Sequence, residues 1–363
     1  MLWGLGEFGQ RCRVAVVDSG VDPTSVEEWR ARGARVHAVD LTRNHEGATA
    51  ASPESHGTGV VKRLLWHAPR AEVFSLRVYS ADDIAERTDF MRTIECCANN
   101  GISLVNISTT FYSDCSRDCE LCRAINTVGL ASGMLSIVAS GDAYTLNENL
   151  DAGASVAMCP AWSGLAWGVA SDEIVAARPP LASQEGGLFF TTARMTGGVA
   201  LLRSAFPHMG LMLLRAVLQR TCLSHTRDTP AYLGLGRHSI MLAYFCGSYV
   251  MKVKSGHLTK TSSLAEPSPR KRGQADENVC QALEKVCFPL FRNDWAKALE
   301  FAERVETKIA PWAPPLERAI VGYIRAALLE GLNCTGDAAG AYSAHSALRK
   351  AYWAELEAGA AGG

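Results

Sequence analysis

Residues 12–139 alternate between short apolar runs and longer amphipathic segments. The apolar runs contain few polar residues, which is typical of strands covered on both faces; they lie at 12–22, 35–41, 71–78, 102–108 and 134–139. Between them, apolar residues at helical spacing predict helices at 56–66, 83–99 and 119–133. Strands that alternate with helices of this length form βαβ units. The pattern therefore predicts an α/β fold with a largely parallel, helix-covered sheet.

The pattern changes near residue 249. Residues 249–278 are rich in Lys, Ser and Pro and poor in large apolar residues, which is typical of a flexible linker. Apolar residues return at helical spacing over 279–363, with Trp295, Leu299 and Ala302 on one face. We therefore predict an α/β domain over 1–248, a linker, and a small C-terminal α-helical domain. Its paired helices are compatible with tetratricopeptide-like hairpins or with a plain bundle, and either version is typical of an interaction domain.

Charge and hydropathy exclude several classes of partner. The formal net charge is -1 at pH 7, which argues against nucleic acid as a ligand. No run approaches the roughly 18 apolar residues of a membrane span, so we expect no membrane partner. The N-terminal residues 1–7 lack the basic and apolar regions of a secretory signal. We therefore expect a cytoplasmic protein.

Three polar motifs follow one another along the chain. Asp18 ends the first predicted strand, His56 opens a predicted helix, and a stretch from Gly187 to Gly197 leads into another apolar helix. This order resembles the subtilase family of serine peptidases, whose triad is an aspartate, a histidine and a serine at a helix start. The resemblance covers roughly residues 10–245 and implies a subtilisin-like parallel sheet flanked by helices.

The resemblance also implies roles for individual residues. Asp18 takes the place of the triad carboxylate and His56 that of the base. In subtilases the third motif usually reads GTSMAAPHVAG, and its serine position falls on Phe189 in this chain. Asp142 takes the oxyanion position, which is usually an asparagine that donates a hydrogen bond. Because Phe189 has no nucleophilic group, we expect Asp18 and His56 to be a vestigial, structural pair.

Thr191 and Thr192 are alternative hydroxyl nucleophiles. Aligning either one with the serine position loses the match at Gly187 and at Gly197. Removing the nucleophile of a related peptidase costs on the order of a millionfold in turnover, so the register decides whether the chain can cleave peptides.

A subtilase groove would be formed here by the strand at 106–110 and the turn at 140–144. The residues expected to contact a peptide there are Asn106, Ser108, Thr109, Thr110, Ser140 and Gly141. We expect a catalytically inactive pseudoprotease that binds a peptide or protein partner. Short cytosolic subtilase-like proteins occur beside peptide-modifying enzymes in bacteria, so the resemblance implies presentation of a precursor peptide to such an enzyme. The alternative is an active subtilisin-like serine endopeptidase with an unusual nucleophile.

Cys115, Cys119 and Cys122 form a C-x3-C-x2-C motif. This spacing is similar to that of the iron–sulfur ligands in radical S-adenosylmethionine enzymes, and it also suits zinc with a fourth ligand from Cys96 or Cys97. Nothing else in the chain resembles the radical enzymes. The irregular spacing of the twelve cysteines favours reduced thiols, so we expect neither a metal nor another cofactor.

Overall fold

The computed structural model describes the chain in segments, and within them the chain divides into two compact units. We call Glu7–Leu211 the sheet unit, and the unit that contains residues 2–6 and everything described from Met212 onward the helical unit. The described residues are 2–42, 55–79, 85, 87–109, 111, 119–139, 159–161, 163, 165–169, 188–223, 237–254, 276–309, 313, 315–332, 334 and 337–338.

Six parallel strands form the centre of the sheet unit, in the order β2-β3-β1-β4-β5-β6. They are β1 (Arg13–Asp18), β2 (Arg35–Asp40), β3 (Glu72–Arg77), β4 (Leu104–Ile107), β5 (Leu135–Ala139) and β6 (Trp167–Val169). β4 and β5 are buried along their whole length and β1 from its second residue, as expected of strands without alternating polarity. The predicted α/β fold with a parallel sheet is confirmed.

Helices connect and cover these strands. They are α1 (Pro23–Ala31), α2 (His56–His67), α3 (Arg87–Asn99), α4 (Glu120–Ser132) and α5 (Leu188–Ala205). The helices predicted at 56–66 and 119–133 are confirmed almost to the residue, and α3 occupies the described part of 83–99. On one face of the sheet α3 and α4 enclose a core that includes Phe90, Ile94 and Ile125.

The longest of these helices, α5, packs directly against α2. Gly197 makes this possible, because a Cβ atom there would lie 2.7 Å from the Cβ of His67 and 3.1 Å from the carbonyl oxygen of Leu64. Only a residue without a side chain allows the two helices to come so close. The same helix also packs against β4 and β5, so its position is fixed by both neighbours.

A second close approach joins the start of α2 to the loop after β1. A Cβ atom at Gly57 would lie 2.1 Å from the carbonyl oxygen of Gly20. Gly20 itself has φ +91, in the left-handed region that favours glycine. The sequence therefore needs both glycines to bring the first turn of α2 against the carboxyl end of β1.

In its described residues, the helical unit has four helices that pack one after another and a small two-stranded sheet. The helices are α7 (Ile240–Lys254), α8 (Asp276–Phe291), α9 (Trp295–Ile309) and α10 (Pro315–Gly331), and each packs against the next in the chain. The remaining elements are α6 (Leu211–Arg220), which begins at the boundary of the two units, and the antiparallel strands β7 (Cys222–Leu223) and β8 (Arg237–His238). None of the helices that the structure describes combines the length and the apolar character needed to cross a bilayer.

The predicted domain boundary at residue 248 falls inside α7. Residues 249–254 of the predicted linker are helical, and residues 255–275 lie outside the described part. The buried carboxylate of Glu284 in α8 accepts hydrogen bonds from Ser248 Oγ at 2.6 Å and from Lys252 Nζ at 2.7 Å. Because a buried carboxylate needs such partners, α7 and α8 are packed together where the sequence predicted a flexible segment. That the flanking regions fold separately stays a prediction.

The contact between Gly57 and Gly20 can be tested by adding one methyl group. Gly57→Ala forces a clash with backbone that cannot move aside, which costs about 3 kcal/mol, while the better helix propensity of alanine returns about 1 kcal/mol. We expect urea unfolding of the full chain to show a net loss of about 2 kcal/mol.

The matched control is Gly210→Ala, because a Cβ atom there meets nothing within 4 Å. Its stability should stay within about 0.5 kcal/mol of the unmodified protein. Equal stability of the two variants would show that α2 moves easily away from the loop.

Candidate active site

Asp18 and His56 meet at the carboxyl edge of the sheet. Asp18 is the last residue of β1 and His56 the first residue of α2. His56 Nδ1 lies 2.9 Å from Asp18 Oδ1 and 3.0 Å from Asp18 Oδ2. The carboxylate is 2% exposed. The structure thus brings together the aspartate and histidine that the sequence analysis paired, in the arrangement that orients an imidazole for base catalysis.

Ser19 holds this pair in place from the carboxylate side. Its backbone nitrogen donates to Asp18 Oδ1 at 2.8 Å, and its hydroxyl donates to the same oxygen at 3.2 Å. The Ser19 hydroxyl also accepts a hydrogen bond from the backbone nitrogen of Gly57 at 3.1 Å. One serine therefore satisfies the carboxylate and an N-terminal amide of α2 at the same time.

The first turn of α2 is capped and tied back to β1. Ser55 is the N-cap, and its hydroxyl accepts from the backbone nitrogen of Thr58. Thr58 Oγ1 lies 2.7 Å from Ser55 Oγ and accepts from the backbone nitrogen of Asp22 at 2.9 Å. Local sequence thus fixes both where the helix starts and how it meets the loop after β1.

The electrostatic balance at His56 favours its protonated form. Burial acts to lower the pKa of the imidazole, but the hydrogen bond to Asp18 and the negative charge of Asp18 outweigh it. The pKa of His56 is therefore raised above its ordinary value of 6.5.

The end of β4 lies beside this pair. Val17 is aligned with Ile107 in the sheet, so Asp18 and Ser108 follow at the next position of each strand. Asn106 is 0% exposed: its Nδ2 donates to Ser108 Oγ at 2.8 Å, and its Oδ1 accepts from Thr196 Oγ1 at 2.8 Å. The Asn106 amide thus links β4 to α5 inside the protein, and its expected contact with a peptide stays a prediction.

Ser108 and Thr109 differ in how far a ligand could reach them. Ser108 is buried, whereas Thr109 is half-buried and its hydroxyl is hydrogen-bonded to the Tyr79 hydroxyl. Among the described residues of the expected groove, Thr109 is the accessible one. Thr110, Ser140 and Gly141, which were also expected to contact a peptide, lie outside the described residues, as does Asp142 at the oxyanion position.

The expected nucleophile position lies in the first turn of α5. That helix begins at Leu188, so Phe189 is its second residue; the side chain of Phe189 and Gly187 lie outside the described part. Of the two alternative hydroxyls, Thr192 is 0% exposed, and its carbonyl oxygen accepts from Thr196 Oγ1 at 2.9 Å. Thr191 is half-buried. Burial therefore leaves Thr191 as the more accessible of the two.

Three cysteines gather near the start of α4. The ligand atoms of Cys119, Cys122 and Cys159 lie within 4.8 Å of one another. Cys119 and Cys122 were candidate ligands from the sequence, and Cys159 was not. Cys96 and Cys97, proposed there as a fourth ligand, are not part of this described group, and Cys115 lies outside the described residues.

Sequence reasoning missed three residues of this region, namely Ser19, Thr196 and Cys159. Ser19 follows the triad-like aspartate directly, so its position was a local signal that could have been used. Thr196 and Cys159 gave no such signal, because they bind residues 90 and 37–40 positions away in the chain.

Comparison with known proteins gives matches among solved structures only. No protein-family model matches this chain, and no match was found among curated proteins. Solved structures do match. A lanthipeptide protease is 16% identical, with 67% of this chain and 89% of that protein aligned at a TM-score of 0.50. The MycP3 protease from the type VII (ESX-3) secretion system is 18% identical, with 66% and 84% aligned at a TM-score of 0.50.

The fold is subtilisin-like. The prenylagaramide maturation protease PagA is a further similar structure, 19% identical over 67% of this chain and 95% of that protein, with a TM-score of 0.49. The comparison confirms the predicted fold class: a subtilisin-like parallel sheet flanked by helices, followed by α-helices at the C-terminal end.

The contact between His56 and Asp18 predicts how the imidazole titrates. We expect the NMR titration of His56 to give a pKa above 6.5, and Asp18→Asn to lower that pKa by removing the charge that stabilises the imidazolium. Asp40→Asn, which changes a carboxylate on the edge strand β2, should leave it unchanged. A His56 pKa at or below 6.5 in the unmodified protein would contradict this balance.

The raised pKa of His56 also predicts that the stability of the folded protein depends on pH. Because the pKa of His56 is higher in the folded protein than in the unfolded chain, protonation favours folding. This contribution to the free energy of unfolding is fully present below the unfolded-state pKa of about 6.5, and it is lost as pH rises through the folded-state pKa. Urea unfolding of the unmodified protein and of His56→Gln across this range should show the difference between them shrinking as pH rises.

Proposed function

We propose that this protein is a catalytically inactive subtilisin-like protein that binds a peptide and presents it to a second protein. The ligand is an extended peptide segment held along the carboxyl end of β4. The second protein is a peptide-modifying enzyme that acts on the bound precursor, and the helices of the C-terminal region recruit it.

The observation that carries this proposal is how α5 is anchored. Gly197 lets α5 lie close against α2, and Thr196 ties the same turn to Asn106. This supports the alignment of Gly197 with the last glycine of the subtilase motif. Counting back along the helix, the serine position then falls on Phe189 in the first turn. A phenyl ring cannot attack a carbonyl carbon, so on this alignment His56 has no nucleophile to activate.

A peptide ligand is supported by the part of the fold that is retained. The sheet is subtilisin-like, and the Asp18–His56 pair lies beside the carboxyl end of β4. Thr109 lies there partly exposed, where an extended chain could pair with the backbone that follows β4. Similarity in fold to a lanthipeptide protease favours a precursor peptide as the ligand.

Recruitment of a second protein is supported by the helices of the helical unit. Helices α8, α9 and α10 pack one after another, with the ring of Trp295 close against Gly331. Stacked helix pairs of this type form binding surfaces in many interaction proteins. Whether they are tetratricopeptide hairpins or a plain bundle stays open.

The second candidate function is an endopeptidase with an unusual nucleophile. It is favoured by one observation, the intact hydrogen bond between His56 and Asp18, which is the base half of a triad. Thr191 is its best candidate nucleophile, because Thr192 is buried and its carbonyl accepts a hydrogen bond within the helix.

Labelling by a fluorophosphonate probe separates the two functions. The probe reacts only with an activated hydroxyl, so we expect no labelling of the unmodified protein and no hydrolysis of casein between neutral and alkaline pH. Labelling that is lost in Thr191→Val and in His56→Ala would establish the endopeptidase. Both variants are required, because neither substitution would change the labelling of a contaminating protease.

Peptide binding can be measured on its own. Peptides selected from a phage-displayed random library against the full-length protein are titrated by calorimetry. Thr109→Arg places a long charged side chain at the end of β4, so it should weaken binding by about tenfold or more, a loss of at least about 1.4 kcal/mol. Ser132→Arg is the matched control, since Ser132 ends α4 at the opposite edge of the sheet. Equal peptide affinity of the two variants would show that the peptide does not bind at the carboxyl end of β4.

A further inference from the structure

The three cysteines near α4 have sulfur positions that suit a tetrahedral metal ion. Cys159 Sγ lies 3.5 Å from Cys119 Sγ and 3.9 Å from Cys122 Sγ, and all three sulfurs lie within 4.8 Å of one another. Zinc binds thiolate sulfur at about 2.3 Å, and two such sulfurs at a tetrahedral angle are about 3.8 Å apart. These two sulfur–sulfur distances therefore differ from that separation by a few tenths of an ångström.

The backbone around the three sulfurs is held by contacts of its own. Asn126, one turn beyond Cys122 in α4, accepts hydrogen bonds from Ser163 Oγ at 2.5 Å and from the backbone nitrogen of Leu165 at 2.9 Å. The backbone nitrogen of Phe111 donates to the carbonyl oxygen of Cys159 at 2.8 Å. These contacts fix the segment that carries Cys159 against α4, so the three thiols are brought together without needing a metal to do so.

Cys119 is placed at the start of α4. It is the N-cap of that helix, and its side chain makes no capping hydrogen bond to it. Cys122, one turn into the helix, and Cys159 are both buried, so a cation bound by them would be shielded from water on that side.

We propose that Cys119, Cys122 and Cys159 bind one zinc ion. Three zinc–sulfur bonds form, and the three thiol protons pass to solvent as the ion enters. No electron is transferred, because zinc has no redox chemistry and the sulfurs stay at the thiolate level. A fourth group completes the tetrahedron. The ion joins the start of α4 to the segment around Cys159, about forty residues later in the chain, and so stabilises that part of the sheet unit.

Soft thiolate ligands in a tetrahedral arrangement select zinc over the oxygen-preferring cations. The competing chemistry is a disulfide between Cys119 and Cys159, whose sulfurs are 3.5 Å apart. Disulfide formation would need an oxidant and would remove two of the three ligands. The two possibilities are therefore mutually exclusive and can be separated by experiment.

Elemental analysis of the full-length protein, purified under reducing conditions without chelator, is the first test. We expect about one equivalent of zinc, as for other structural thiolate sites. Cys119→Ala, Cys122→Ala and Cys159→Ala should each lower it well below one equivalent. Cys97→Ala is the matched control, because Cys97 is buried in the same hydrophobic cluster and lies outside the group, so it should keep its zinc.

A second measurement needs no variant, in case the alanine proteins do not fold. The unmodified protein is stripped with chelator, reloaded with zinc or cobalt, and alkylated with iodoacetamide before peptide mass spectrometry. Bound zinc should protect the peptides that contain Cys119, Cys122 and Cys159, and cobalt should give the near-ultraviolet thiolate charge-transfer band. A protein that takes up well under one equivalent and shows no protection overturns the proposal. A Cys119–Cys159 disulfide in protein prepared under reducing conditions also overturns it.

Discussion

The close contact between the Gly20 carbonyl and Gly57 is the constraint on which the rest of the site depends. It brings the first turn of α2 against the loop after β1, at a separation that no side chain would tolerate. The hydrogen bonds from Gly57 to Ser19 and from Asp22 to Thr58 then become possible. Only with the helix seated in this way does the His56 imidazole reach the buried carboxylate of Asp18. The electrostatics of the pair are thus a consequence of backbone packing.

A second set of contacts places α5. Asn106 at the end of β4 bonds to Thr196, and Gly197 lets the same turn lie on α2. From its sequence position this amide was expected to contact a peptide, yet both of its polar atoms form hydrogen bonds inside the protein. Beside it Thr109 is partly exposed, so the peptide surface that we propose lies on the segment after β4.

Much of the sheet unit was predictable from sequence because its signals are local. Uninterrupted apolar runs identified β1, β4 and β5, and Asp18 and His56 stood at element ends where motif order could pair them. Cys159 could not be found in this way, since only the folded chain brings it to Cys119 and Cys122. The helical character of residues 249–254 was missed because lysines at 252 and 254 resemble linker composition, although Lys252 is a partner of the buried Glu284. In both cases the sequence signal was missing because the relevant contact joins residues that are far apart in the chain.

The way α5 is anchored has a consequence for how such a protein can evolve. On the alignment that we propose, its fixed points, Thr196 and Gly197, lie about two turns beyond the position of the subtilase serine. The residues that anchor the helix and the position of the reactive residue therefore lie on different turns of the same helix. Selection can exchange the reactive residue for an inert one without moving the scaffold. A helix anchored in this way can change the chemistry of its first turn and keep its place against α2, β4 and β5.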